Sequence, residues 1–146
     1  MYFLINIAVL FCVVATQINA NPEWYLGYSS ESCTETCTKV SKTCSLSTLQ
    51  TVTTASAFES VVSSSNQLGK TGTTGSVAAF CTGGVNSWPF ATAPSVVQYP
   101  LYVKDPESGV GQYITTNNCF YPEGNVEGDC DSTYNVPPAQ RFCPCE

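Results

Sequence analysis

The chain has 146 residues, a formal net charge of −6, 11% charged side chains and no histidine. Soluble domains usually carry roughly 25% charged residues, and here no basic cluster offsets the acidic balance, which excludes nucleic acid and anionic membrane surfaces as natural partners. The missing histidine removes the commonest general base and the commonest zinc ligand together.

Residues 2–15 form an apolar run, and Ile18-Asn19-Ala20 supplies a small residue just before a cut site. This reads as a secretory signal peptide over 1–20, shorter than the roughly 20 apolar residues of a membrane span. The expected mature part is one cysteine-rich secreted domain, 21–146, with no membrane insertion after signal cleavage. Cys12 would leave with the signal. Cys33, Cys37, Cys44, Cys81, Cys119, Cys130, Cys143 and Cys145 remain, and an even number behind a signal peptide reads as four disulfides.

In chain order, Trp24, Tyr25 and Leu26 should pack under a first helix. That helix starts at Ser29 or Ser32 and ends within 41–44. Ser32 and Glu35 have capping-box spacing, and Cys33, Cys37, Val40 and Cys44 fall on one helical stripe. A second helical region follows over 45–65, where Leu46, Leu49, Val52, Ala55, Phe58 and Val61 or Val62 recur at steps of three to four. Ser56 with Glu59 makes its firmest part 56–64; the Thr-rich 48–54 suits a strand equally.

Residues 66–76 read as a Gly-containing loop. Its Gly69-Lys70-Thr71 lacks the preceding glycine of a phosphate-binding loop, since position 64 is Ser64. A short strand is expected over 77–80 and a turn-rich segment over 82–94. The stretch 96–103 reads as an edge strand, or two short ones, because of Pro100. After a turn over 105–111, residues 112–121 form the best strand candidate and should close a hairpin with the preceding one. An acidic turn over 122–131 and a loop over 132–140 lead to a closing strand, 141–145, where Pro144 implies an edge. The expected fold is α+β: a small disulfide-rich domain, one or two helices packed on a short antiparallel sheet.

No pattern names a reaction. C-x-x-C is absent, and thiolates in an oxidising compartment are consumed as bridges. Glu123, Glu127, Asp129 and Asp131 lie in a Gly-containing loop; such carboxylates can ligate calcium or act as a glycosidase acid–base pair, but the spacing matches neither an EF-hand nor a defined carboxylate pair, and a solvated turn is the simpler reading. Catalytic residues, metal and cofactor are therefore each expected to be none. The aromatic set (Trp24, Tyr25, Tyr28, Trp88, Phe90, Tyr99, Tyr102, Tyr113, Phe120, Tyr121, Tyr134, Phe142) suits core packing for the most part. Trp88, in a loop beside Pro89, is the candidate ligand contact, because exposed rings stack on the C–H faces of sugars.

Two resemblances bear on the cysteines. A helix carrying Cys33 and Cys37 opposite an extended Cys143-x-Cys145 resembles the cysteine-stabilised α/β motif of defensins and scorpion toxins. By that resemblance Cys33 joins Cys143 and Cys37 joins Cys145, with the crossed pairing as the alternative. Cys119 and Cys130 flank the acidic turn and could then bridge each other, leaving Cys44 for Cys81. The whole frame also resembles a known enzyme segment: C-x3-C-x6-C (Cys33, Cys37, Cys44), a middle Cys81, C-x10-C (Cys119, Cys130) and R-x-C-P-C (Arg141 to Cys145). It is similar to the cysteine-rich C-terminal part of α-1,6-mannosylglycoprotein 6-β-N-acetylglucosaminyltransferases, glycosyltransferase family 18. That resemblance implies transfer of N-acetylglucosamine from UDP-GlcNAc to N-glycans. The catalytic domain has no counterpart here, so no catalytic residue carries over.

The resulting expectation is a secreted, non-catalytic binding or structural module at a glycan-rich cell surface or extracellular matrix, with glycans or another extracellular protein as partner. The alternatives are a transferase-related protein or accessory module and a defensin-like or inhibitor protein.

Overall fold

The computed structural model describes residues 21–70, 72–104, 109, 111–124, 126–135 and 137–146. The signal peptide expected over 1–20 and most of the turn expected over 105–111 lie outside the described residues. The elements run β1 (Glu23–Leu26), α1 (Cys33–Lys39), α2 (Leu46–Leu49), α3 (Ala55–Ser64), β2 (Asn66–Gln67), α4 (Val77–Phe80), β3 (Val85–Trp88), β4 (Ser95–Lys104), β5 (Gly111–Pro122) and β6 (Ala139–Cys145). The fold is α+β and disulfide-rich, as expected. The sheet is larger than the short antiparallel one expected: six strands in the order β2-β1-β6-β4-β5-β3. It is also mixed, because β1–β2 and β3–β5 are parallel.

α1 forms where the capping box places it. The Ser32 backbone N–H donates to Glu35 Oε2 at 2.8 Å, and the Glu35 N–H donates back to Ser32 Oγ at 3.2 Å. That backbone donor, aided by the Ser32 hydroxyl, holds the Glu35 carboxyl below its usual range. The helix ends in a Schellman turn: Lys42 N–H reaches the Cys37 carbonyl and Ser41 N–H the Thr38 carbonyl, each at 3.0 Å. Ser41 sits at φ 57°, left-handed backbone that favours glycine.

The second capping box is not used. α3 starts one residue earlier, with Thr54 Oγ1 accepting from Ala57 N–H. Residues 77–80 are a helical turn rather than a strand, because Ser76 caps Ala79 N–H. β4 is one continuous strand through Pro100. β6 is not an edge; it lies between β1 and β4. Pro144 is tolerated because strand residues alternate in where their backbone groups point. Gly27 N–H bonds the Arg141 carbonyl, so 141, 143 and 145 serve β1, while the Pro144 carbonyl turns the other way and accepts from Ser45 N–H.

The same alternation gives the sheet two different faces. On one, Leu26, Val96, Cys119 and Phe142 pack with Val52, Phe58, Val61 and Val62. Phe142 meets Phe58 edge-on at 5.4 Å and Phe80 at 5.9 Å between centroids. On the other, Cys143 and Cys145 face α1 and bond Cys33 and Cys37, the pairing that the defensin-like motif implied. The remaining bridges differ from expectation: Cys44–Cys130 and Cys81–Cys119. Cys119 projects into the α3-side core, whereas Cys130 packs on the α1 side. The sheet stands between them, so their nearness in sequence is no help.

Two stability outcomes follow. Phe58→Ala removes a fully buried ring and should cost about 3–5 kcal/mol in urea unfolding. Ser41→Gly should stabilise by about 0.5–1 kcal/mol, since glycine adopts the left-handed C′ position without the Cβ penalty.

Candidate aromatic face and its supports

β3 runs beside the end of β5, with Trp88 opposite Pro122 in register. This puts the indole on the α1 side of the sheet, 4.4 Å from the Phe120 ring centroid. Phe90 stacks outside it at 5.2 Å, and Tyr134 meets it edge-on at 5.8 Å. Trp88 is half-buried at the centre of this cluster, and Phe90 is its outer ring at 45% exposure. Val97 and Ala139 form the buried floor.

The acidic turn lies alongside. Glu123 N–H bonds the Trp88 carbonyl at 2.9 Å, and Asp129 N–H bonds the Ala91 carbonyl at 3.3 Å. The turn is thus stitched at both ends to the segment that carries the aromatics. Its carboxylates divide into two groups. Asp131 Oδ1 accepts from the Thr34 hydroxyl at 2.5 Å, which ties the turn to α1. Asp129 accepts from the Asp131 N–H at 3.0 Å and the Ser132 hydroxyl at 2.9 Å. Those two donors, and then Arg141, hold the Asp129 carboxyl below its ordinary value of 3.8. Glu123 and Glu127 are exposed. Among the described residues no group of three or more His, Cys, Asp or Glu side chains is arranged to hold a metal ion.

Beneath the cluster lies Arg141, only 1% exposed. Its fork donates to three backbone carbonyls: Nε to Thr92 at 2.9 Å, Nη1 to Ser132 at 2.7 Å and Nη2 to Ala91 at 3.3 Å. Burial pulls the guanidinium down to about 10 while Asp129 and Asp131 pull it back up, so it is charged at neutral pH. A single cation thereby fixes both loops that frame the aromatics. The sequence pattern contained this residue in R-x-C-P-C but gave no sign of its role, because buried arginines cannot be told from exposed ones by spacing.

The face continues beyond the cluster. Pairing of β4 with β6 stops at Val97, while pairing of β4 with β5 runs on to Lys104 and Gly111. A two-stranded arm therefore extends about 20 Å past the body of the sheet. By the pleat, the face that holds Val97 also carries Tyr99, Leu101 and Val103, with Ile114 opposite Leu101. With Phe90, these leave roughly 300–400 Å² of apolar side chain in water, a size that marks interaction surfaces. Tyr99 and Trp88 are both visible as aromatics in the sequence, but no spacing there shows that they share a face.

Four disulfides place the chain in an oxidising environment. Among the described residues no helix is long and apolar enough to cross a membrane.

Arg141→Lys keeps the charge but loses the fork. It should cost about 2–4 kcal/mol in urea unfolding and alter the near-UV signal of Trp88, since two buried carbonyls lose their donor. The Asp129 contribution is complete above the unfolded value of 3.8 and is lost as pH falls through the lowered folded value. Stability should thus fall as pH drops below about 3.8, and Asp129→Asn should make that fall shallower.

No family model, no curated protein and no solved structure matches this chain.

Proposed function

We propose that this chain is a secreted, non-catalytic binding module that works at a glycan-rich cell surface or extracellular matrix. The observation that carries the reading is the continuous aromatic and aliphatic face from Phe90 and Trp88 along the arm to Val103. Rings at its base suit the C–H faces of sugars, and the exposed carboxylates of Glu123 and Glu127 beside them are acceptors for sugar hydroxyls. The resemblance of the cysteine frame to glycosyltransferase family 18 points to the same class of ligand. Against catalysis stands the chemistry of the groups present. The eight bridged cysteines offer no thiolate. Asp129 is held ionised and would be a poor general acid, whereas glycoside cleavage needs one carboxyl with a raised value.

A glycan array with the mature protein tests this. Selective binding is expected, and Phe90→Ala should weaken it about 5–10-fold with the chain still folded and the melting temperature lowered only slightly, because that ring is half in water. Flat binding to all glycans contradicts the glycan assignment. Turnover of UDP-GlcNAc by the purified protein contradicts the non-catalytic one.

A further inference from the structure

The two edges of the arm are not equivalent. Backbone groups along a strand point alternately to either side. On β4, Phe142 N–H bonds the Pro94 carbonyl, so even-numbered residues face outward, away from β5. Pro100 is one of them and has no N–H to offer. That edge is blunted in the usual way of exposed strands. On β5 the Asn117 carbonyl accepts from Gly83 N–H, and Cys119 N–H donates to Gly84, so odd-numbered residues face outward there. Gly111, Tyr113 and Thr115 therefore present N–H and C=O groups, and among the described residues no strand pairs with them.

This free stretch is bounded at one end by the Thr82–Gly84 contact with Asn117 and Cys119. Its midpoint is Tyr113, which is 75% exposed. Tyr113 stacks edge-on with Tyr102 at 5.1 Å, and Tyr102 in turn lies over Gly111, where a Cβ would run into its ring.

We propose that the β5 edge pairs with the β5 edge of a second copy of this chain, antiparallel about a two-fold axis at Tyr113. Gly111 then opposes Thr115 of the second copy, Tyr113 opposes its own counterpart, and Thr115 opposes Gly111. This register satisfies every outward group of the stretch with about six backbone hydrogen bonds and stops where Gly83 already occupies the edge. It yields a four-stranded ribbon, with Tyr102 and Tyr113 of both copies in one row on one face.

Charge favours the same occupant. β4 and β5 together carry one charged side chain, Lys104, although the whole chain is at −6. The paired stretch, Gly111 to Thr115, brings no carboxylate against its counterpart. Across the β5 edge the side chain that meets its counterpart is Tyr113, 75% exposed, so the contact is smaller than the ~800 Å² per partner of a standard interface. The dimer is accordingly a weak one.

Sedimentation velocity of the mature, oxidised protein from low to several hundred micromolar tests this. A monomer–dimer equilibrium is expected. Thr115→Pro, which copies Pro100 onto the open edge without touching the β4–β5 ladder, should weaken it at least tenfold. Tyr113→Lys places like charges face to face at the axis and should do the same; its side chain is mostly in water, so the fold, followed by circular dichroism, is unaffected. A wild-type monomer throughout the range overturns the proposal. A dimer that survives Tyr113→Lys also overturns it, since the contact would then lie elsewhere.

Discussion

Two sulfur bridges between α1 and β6 set the architecture. They join positions 110 and 108 residues apart, Cys33 to Cys143 and Cys37 to Cys145. Closing a loop of that length stabilises by about 4–5 kcal/mol in the chain-entropy account, and the nested second closure adds far less. Its larger effect is positional. The last strand of the chain is drawn against the first helix, and β1 and β4 then find it from either side. A segment containing a proline and ending the sequence thus becomes the middle of the sheet.

Much else follows from β6 having two committed faces. Phe142 must enter the α3 core, because its neighbours Arg141 and Cys143 are held on the other side. Arg141 is therefore carried under the loops of residues 91–92 and 132, where three carbonyls meet its fork. Buried cations are costly unless their donors are satisfied, and this one is satisfied by backbone alone. The loops that frame the aromatic cluster are both anchored to it in that way. Among the described residues the arm pairs with the rest of the sheet only at its root, by the short overlap of β4 with β6 and of β5 with β3. Two-stranded ribbons are marginal in water by themselves, so an arm with apolar side chains on both faces belongs in contact with something.

What could be read from the sequence was local. Ser32 and Glu35 announced α1, and Val52, Phe58, Val61 and Val62 of the periodic series announced the α3 side of the core, whereas Leu46 of the same series is exposed. The spacing of Cys143 and Cys145 matched that of Cys33 and Cys37 because helix and strand repeats happen to agree over those steps. The other two bridges were not legible. Cys119 and Cys130 are close in sequence, but the pleat and the following loop send them to opposite sides of the sheet. Pro144 suggested an edge because proline lacks a donor; only the pairing register reveals that the lost donor points away from β1. The candidate site was legible in part. Trp88 and the acidic turn each stand out in the sequence, yet their adjacency rests on the Trp88–Glu123 and Ala91–Asp129 backbone bonds, which no spacing rule foretells.

The staple between α1 and β6 is tested most directly by mapping disulfides in the purified, unreduced protein, using proteolysis without reduction followed by fragmentation of the linked peptides. The account predicts Cys33–Cys143, Cys37–Cys145, Cys44–Cys130 and Cys81–Cys119. Free thiols at Cys33, Cys37, Cys143 and Cys145, or a Cys119–Cys130 bridge, would contradict it.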